Sequence, residues 1–178
     1  MLVIGIAVKL LDDCVDGEQR TLFGLAPAGA AVYAVLAAVV GTALAPPVAL
    51  PLFAAAYAMG MMQEPGERLP SGLPAWLEAA FVLAAAAAVA GAVRTAQALL
   101  VIATLQALDD LIDFQRDAAT PRRNWAHRIG CVETALIGLI CLTLATAFGI
   151  ALPVCAGAAY GLLNAAARWE RGGGECFS

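Results

Sequence analysis

Apolar positions fall into seven long stretches separated by short polar or proline-bearing joints. They run Leu2–Val15, Ala26–Ala45, Pro47–Met62, Ala75–Val93, Thr95–Phe114, Ile129–Phe148 and Ile150–Trp169. Runs such as "AAVYAVLAAVVGTALA" and "AAFVLAAAAAVAGAV" predict helices that cross a membrane rather than helices sharing one buried soluble core. The second and third stretches are divided by "APP", where proline cannot continue the preceding helix. The third and fourth are divided by the turn-rich "QEPGERLPSGLP", which reads as a loop. The first stretch is short for a hydrocarbon core of about 30 Å, which calls for local thinning of the bilayer or for further chain upstream.

Composition sharpens this reading. The chain is 62% hydrophobic and 13% charged, against about 25% charged in a typical soluble domain. The expected fold is all-α: a polytopic membrane bundle of seven transmembrane helices, residues 1–178 forming a single domain. No basic stripe marks a nucleic-acid surface, and the start lacks the basic and small-residue features of a cleaved signal peptide. Cys14, Cys131, Cys141, Cys155 and Cys176 show no CxxC spacing and read as free thiols packing as small hydrophobes.

Charge placement orients the bundle. With the N-terminus outward and the stretches alternating, Arg20, Arg68, Arg116, Arg122, Arg123, Arg128, Arg168 and Arg171 share one side. Arg94 falls opposite and Lys9 lies inside the first stretch. That bias makes the shared side cytoplasmic. Trp76, Trp125 and Trp169, which play no part in the assignment, fall at the same face. The expected location is the inner membrane of a prokaryote, as a multi-pass protein.

Two acidic clusters interrupt this greasy chain: "LLDDCVDGEQR" near the start and "ALDDLIDFQRD" downstream. A shift of 97 residues superposes Asp12, Asp13 and Asp16 on Asp109, Asp110 and Asp113, and also matches Leu2 with Leu99 and Leu11 with Leu108. Three stretches separate the two, so both clusters end at the cytoplasmic face. The chain reads as a parallel pseudo-repeat, helices 1–3 resembling 5–7, over about 1–62 and 95–169 with a connecting helix at 75–93.

Asp109, Asp113 and Asp117 recur every four residues and so climb one stripe of a helix, whereas Asp110 points about 100° away. Asp12 and Asp16 repeat the spacing, with Asp13 beside them. Like charges so spaced repel, carboxylates near a helix C-terminus face the negative end of its dipole, and each one in hydrocarbon costs about 2.5–3.5 kcal/mol. A divalent cation relieves the repulsion and the dipole penalty. Carboxylate oxygens are hard ligands that suit Mg²⁺, which shares its shell readily with phosphate. The candidate metal ligands are Asp12, Asp13, Asp16, Asp109, Asp113 and Asp117, and the implied substrate is an amphiphile with a phosphate head and an apolar tail.

Arg20, Arg122 and Arg123 follow the clusters and read either as diphosphate-binding groups or as ordinary topology-setting positives. Lys9, three and four residues before Asp12 and Asp13, reads first as a structural ion pair and second as a diphosphate contact. His127, Asn124 and Glu78 are weaker candidates at the same face, with His127 expected on a loop surface.

These motifs resemble the UbiA superfamily of intramembrane prenyltransferases. "DDCVDGEQR" is similar to that family's NDxxDxxxD motif, and "DDLIDFQRD" fits its DxxxDxxxD motif at all three positions. The resemblance implies that Asp13, Asp16, Asp109, Asp113 and Asp117 bind Mg²⁺, which holds the diphosphate of an isoprenyl donor. It further implies ionisation to an allylic cation, shielded and stabilised by the helices and captured by an acceptor. Asp12 stands where the first motif has asparagine, and Arg20 where it has its last aspartate. Family members are longer, and the chain resembles their core without the first and last helices. A homo-oligomer supplying the missing walls, and a cyclase making another isoprenoid product, are the related expectations.

Two other classes compete. A CDP-alcohol phosphotransferase motif begins DxxDG, as does "DCVDG" at Asp13–Gly17, but its arginine and second acidic set are not at the required spacing here. A small transporter or cation channel would use the acids on an ion path, although they gather at one face and not at mid-membrane.

Overall fold

The structure is a computed structural model that describes residues 1–15, 25–62, 64–114 and 124–173, without the side chains of Asp12, Asp13, Val15, Pro27 and residues 167–173. Among the described residues it is all-helical, with eight helices and no strand beyond one isolated bridge between Arg68 and Pro74. The helices are α1 (Leu2–Val15), α2 (Pro27–Leu44), α3 (Pro46–Met61), α4 (Ala75–Ala90), α5 (Ala92–Ile112), α6 (Trp125–Ile129), α7 (Cys131–Ala147) and α8 (Ala151–Gly173). Seven of them coincide with the seven apolar stretches; the five-residue α6 is an addition.

The joints follow from local chemistry. Pro27 opens α2, where its missing N–H is no loss. Ala45 leaves helical geometry at φ −148° and ψ 63°, and Pro46 begins α3 immediately. Between α4 and α5 the break is one residue, Gly91 at φ 98°, whose N–H reaches the Ala87 carbonyl. Gly130 at φ 106° divides α6 from α7 in the same way. Residues with a Cβ rarely adopt these angles, so each glycine turns the chain between helices with no loop.

Two compact units divide the chain, residues 1–49 with 154–178, and residues 50–153. In the first, α1 lies against α2, and Leu10, Ala30 and Ala34 form a buried cluster lined by Ile6, Cys14, Leu25 and Leu163. Gly41 permits the approach, since a Cβ there would come within 2.9 Å of Ile4 Cγ1.

In the second unit α5 is packed on α7, with α4 beside α5. The α5–α7 seam is built from small groups: Ala98, Val101 and Ala107 are buried on α5, and Thr134, Gly138 and Ala145 on α7. A Cβ on Gly138 would lie 3.1 Å from the Ala107 Cβ. At one end Gln97 Nε2 donates to the carbonyls of Ala145 (3.1 Å) and Gly149 (2.7 Å). Between α3 and α4, the Glu78 carboxylate accepts hydrogen bonds from the Tyr57 and Ser71 hydroxyls.

The distribution of side-chain size is inverted relative to a soluble core. Among the described residues, sixteen of the twenty-one buried hydrophobic residues are alanine, while Val132, Leu136, Leu139 and Ile140 of α7 are exposed. Val32, Val35, Leu36 and Val39 of α2 are exposed likewise. Among the described residues only α5 is both long and apolar enough to cross a membrane; the other apolar helices offer stretches of 10–17 residues.

The seam makes a stability prediction. Gly138→Val should destabilise the protein by about 1–3 kcal/mol through overpacking against Ala107. Gly157→Ala in α8, where a Cβ meets nothing within 4 Å, should leave stability unchanged or raise it by up to about 1 kcal/mol. Thermal unfolding of the two variants beside the parent chain checks both.

Candidate functional site

The acidic end of α5 is the best-described part of the expected site. Asp109 and Asp113 are half-buried at its last turn. The Asp113 N–H donates to the Asp109 carbonyl at 2.9 Å, and Asp113 caps the helix at φ −91° and ψ 5°. The pair, one turn apart, shares a stripe of α5 as the spacing predicts.

Asp110 has a different environment. It is 5% exposed, and both of its carboxylate oxygens accept hydrogen bonds. Oδ1 takes Gln106 Nε2 at 2.9 Å and Oδ2 takes the backbone N–H of Trp125 at 2.9 Å. Its backbone carbonyl accepts from Asn124 Nδ2 at 2.8 Å. Asn124, 1% exposed, uses the other end of its amide as the N-cap of α6, where Oδ1 accepts from Ala126 N at 2.8 Å and His127 N at 3.4 Å. One turn on, the Phe114 and His127 rings stack at 4.2 Å and 15°, with His127 Nε2 2.8 Å from the Phe114 carbonyl oxygen. The chain thus leaves α5 at Phe114 and returns at Asn124 onto the residue next to the stripe.

Electrostatics explains the arrangement. The end of α5 carries the negative pole of its dipole and carbonyls without helical partners. The Asn124 amide and the Trp125 N–H bring donors to that pole. A buried carboxylate such as Asp110 is tolerable only when its oxygens are hydrogen-bonded, as they are here.

The remaining predicted residues are placed as follows. Asp12 and Asp13 lie in the last turn of α1, their side chains outside the described set, and Lys9 is half-buried one turn earlier. Asp16, Arg20, Asp117, Arg122 and Arg123 lie outside the described residues. The first cluster belongs to one compact unit and the second to the other. His127 is exposed as expected, but it lies on α6 and not on a loop, and its ring stacks on Phe114. Cys14, Cys131, Cys141 and Cys155 are free thiols; Cys176 is outside the described residues.

Among the described residues no three His, Cys, Asp or Glu side chains are grouped to hold a metal. The donor chemistry nonetheless fits Mg²⁺. That ion takes one or two carboxylates and completes its shell with water and substrate phosphate, and Asp109 and Asp113 supply such a pair. Asp110 does not belong with them, because its oxygens are turned to Gln106 and Trp125. The sequence pattern sets Asp110 aside as pointing off the stripe, ranks Asn124 low, and does not single out Gln106 or Phe114. Two signals mark them: Gln106 and Asp110 stand in an i, i+4 relation, and asparagine directly before an apolar turn is an N-cap signature.

No protein-family model, curated protein or solved structure matches the chain.

Asn124→Ala removes the α6 cap, worth about 0.5–2 kcal/mol, and leaves the Asp110 carbonyl without that donor, worth about 1–3 kcal/mol. A loss of about 1.5–5 kcal/mol in unfolding free energy is expected by chemical denaturation. A loss no larger than that of an exposed surface alanine would remove Asn124 from its place at this joint.

Proposed function

We propose that the chain is a Mg²⁺-dependent intramembrane prenyltransferase of the UbiA type. In this reading it is a multi-pass protein of a prokaryotic inner membrane, residues 1–178 forming one transmembrane domain with its acidic motifs at the cytoplasmic face. The observation that carries the reading is α5 itself. The one described helix long and apolar enough to cross a membrane ends in two carboxylates on one stripe, Asp109 and Asp113.

The membrane part is supported by the inverted size distribution. Large apolar side chains such as Val132 and Leu136 each gain about 1.5–3 kcal/mol on leaving water, yet they point outward and alanines point inward. Helices that meet through small residues and present large ones to their surroundings suit a hydrocarbon solvent. The shorter apolar helices reach across by local thinning of the bilayer, at a modest cost per ångström.

The enzymatic part rests on donor chemistry. Asp12, Asp13, Asp16, Asp109, Asp113 and Asp117 are the metal-binding carboxylates, and Arg20, Arg122, Arg123 and Lys9 the cationic partners of a diphosphate. Bound Mg²⁺ supplies positive charge against the diphosphate as the allylic C–O bond breaks. The apolar helices exclude water from the cation, so that an acceptor, or the substrate's own double bond in a cyclase, forms the new bond and loses a proton. Pyrophosphate leaves with the electron pair.

The test is pyrophosphate release from farnesyl or geranylgeranyl diphosphate by the purified full chain in detergent. Release or tight binding should require Mg²⁺, stop with chelator, and fall to background in both Asp113→Ala and Asp16→Ala. Failure to bind any prenyl diphosphate would overturn the proposal. Release of CMP from a CDP-alcohol would favour the phosphotransferase class, and ion flux in liposomes without lipid substrate a channel.

A further inference from the structure

Asp110 sits in the acidic motif, but both of its carboxylate oxygens are bonded away from the stripe, to Gln106 and Trp125. We propose that it is a positioning residue, holding the carboxylates of Asp109 and Asp113 in register for a divalent cation shared with phosphate oxygens. The proposal rests on the metal-binding reading above.

The geometry is that of a clasp closed across a long gap in sequence. Gln106, one turn back on α5, fixes one oxygen of Asp110, and the Trp125 N–H, fifteen residues further on, fixes the other. Asn124 adds a bond to the Asp110 backbone carbonyl, so side chain and main chain of one residue are held from the same direction. Because Asn124 Oδ1 also caps α6, the clasp ties the end of α5 to the start of another helix. Phe114 and His127 fasten the next turn by stacking and by the bond to the Phe114 carbonyl. Asp113 lies between these two fastenings.

That position matters because terminal helix turns fray. A pair of carboxylates at i and i+4 keeps its ligand spacing only while the turn between them stays helical. The last turn of α5 is closed by the bond from the Asp113 N–H to the Asp109 carbonyl at 2.9 Å. Partners behind metal ligands that orient them typically alter affinity by roughly 10–100-fold when removed. A purely structural clasp would instead alter melting and leave metal affinity alone.

The experiment is a Mn²⁺ titration of the full chain in detergent, followed by electron paramagnetic resonance with inorganic pyrophosphate present, alongside thermal melting. Asp110→Asn keeps the shape but sets an amide NH₂ against one of the two donors. Asn124→Ser keeps an N-cap oxygen and removes the Nδ2 donor. Both variants should bind the same number of ions as the parent with roughly 10–100-fold weaker affinity, whereas Asp113→Asn should lose an ion. If Asp110→Asn fails to fold, Asn124→Ser carries the test. Unchanged Mn²⁺ affinity in the folded variants overturns the positioning role while leaving metal binding intact. Loss of a whole ion in Asp110→Asn overturns it by making Asp110 a ligand. A parent chain that takes up no Mn²⁺ overturns the metal reading, and the positioning role with it.

Discussion

Two helix backbones approach as closely as α5 and α7 do only where no side chain stands between them. Ala98 and Ala107 on one helix and Thr134, Gly138 and Ala145 on the other meet that condition. Once small residues occupy the seam, the larger ones on the same helix are turned outward, and the ridge of Val132, Leu136, Leu139 and Ile140 follows directly. The seam also sets where α5 ends. Gln97 anchors its first turns to the far end of α7, Ala107 meets Gly138 near its last turns, and Asp110 anchors its end to Asn124 and Trp125. An acidic helix end fastened on both sides of its carboxylates is a different object from a solvated one.

The electrostatic terms at that end are individually small. Repulsion between carboxylates one turn apart is about 0.2–0.5 kcal/mol, and a charge at the wrong pole of a helix about 0.3–1 kcal/mol. These sums are well within what a few hydrogen bonds supply, so the structure tolerates Asp109 and Asp113 without requiring a metal for folding. Asp110 answers to the opposite logic, since its burial demands the donors it has.

The helices were legible because apolar runs and proline joints carry most of the signal; Pro27 and the "APP" break mark their boundaries within a residue. The joint between α4 and α5 was read near Arg94 and falls at Gly91, since a lone glycine in an apolar run does not announce its positive φ. α6 was missed because five residues are too few for any periodicity to show. The stripe of Asp109 and Asp113 could be read from spacing alone, as could the turning away of Asp110. What Asp110 turns toward could not, because its partner Trp125 stands fifteen residues later in the sequence and no local pattern encodes so distant a bond.

The two guides to the first motif disagree at one point, and α5 shows why that matters. Family resemblance assigns Asp13 and Asp16 as ligands and sets Asp12 in the asparagine position. The 97-residue register instead lays Asp12 on Asp109, Asp13 on Asp110 and Asp16 on Asp113, and it lays Lys9 on Gln106. On that register Lys9 stands four residues before Asp13 as the donor Gln106 stands before Asp110, which is the ion-pair role its sequence position suggests. The register does not extend to the rest of the clasp, for Pro27 falls on Asn124 and proline has neither a side-chain amide nor an N–H. Against a carboxylate, a lysine ammonium is a stronger donor than a glutamine amide. The substitution of lysine for glutamine is therefore the change expected if the first motif keeps the layout of the second while lacking its Asn124.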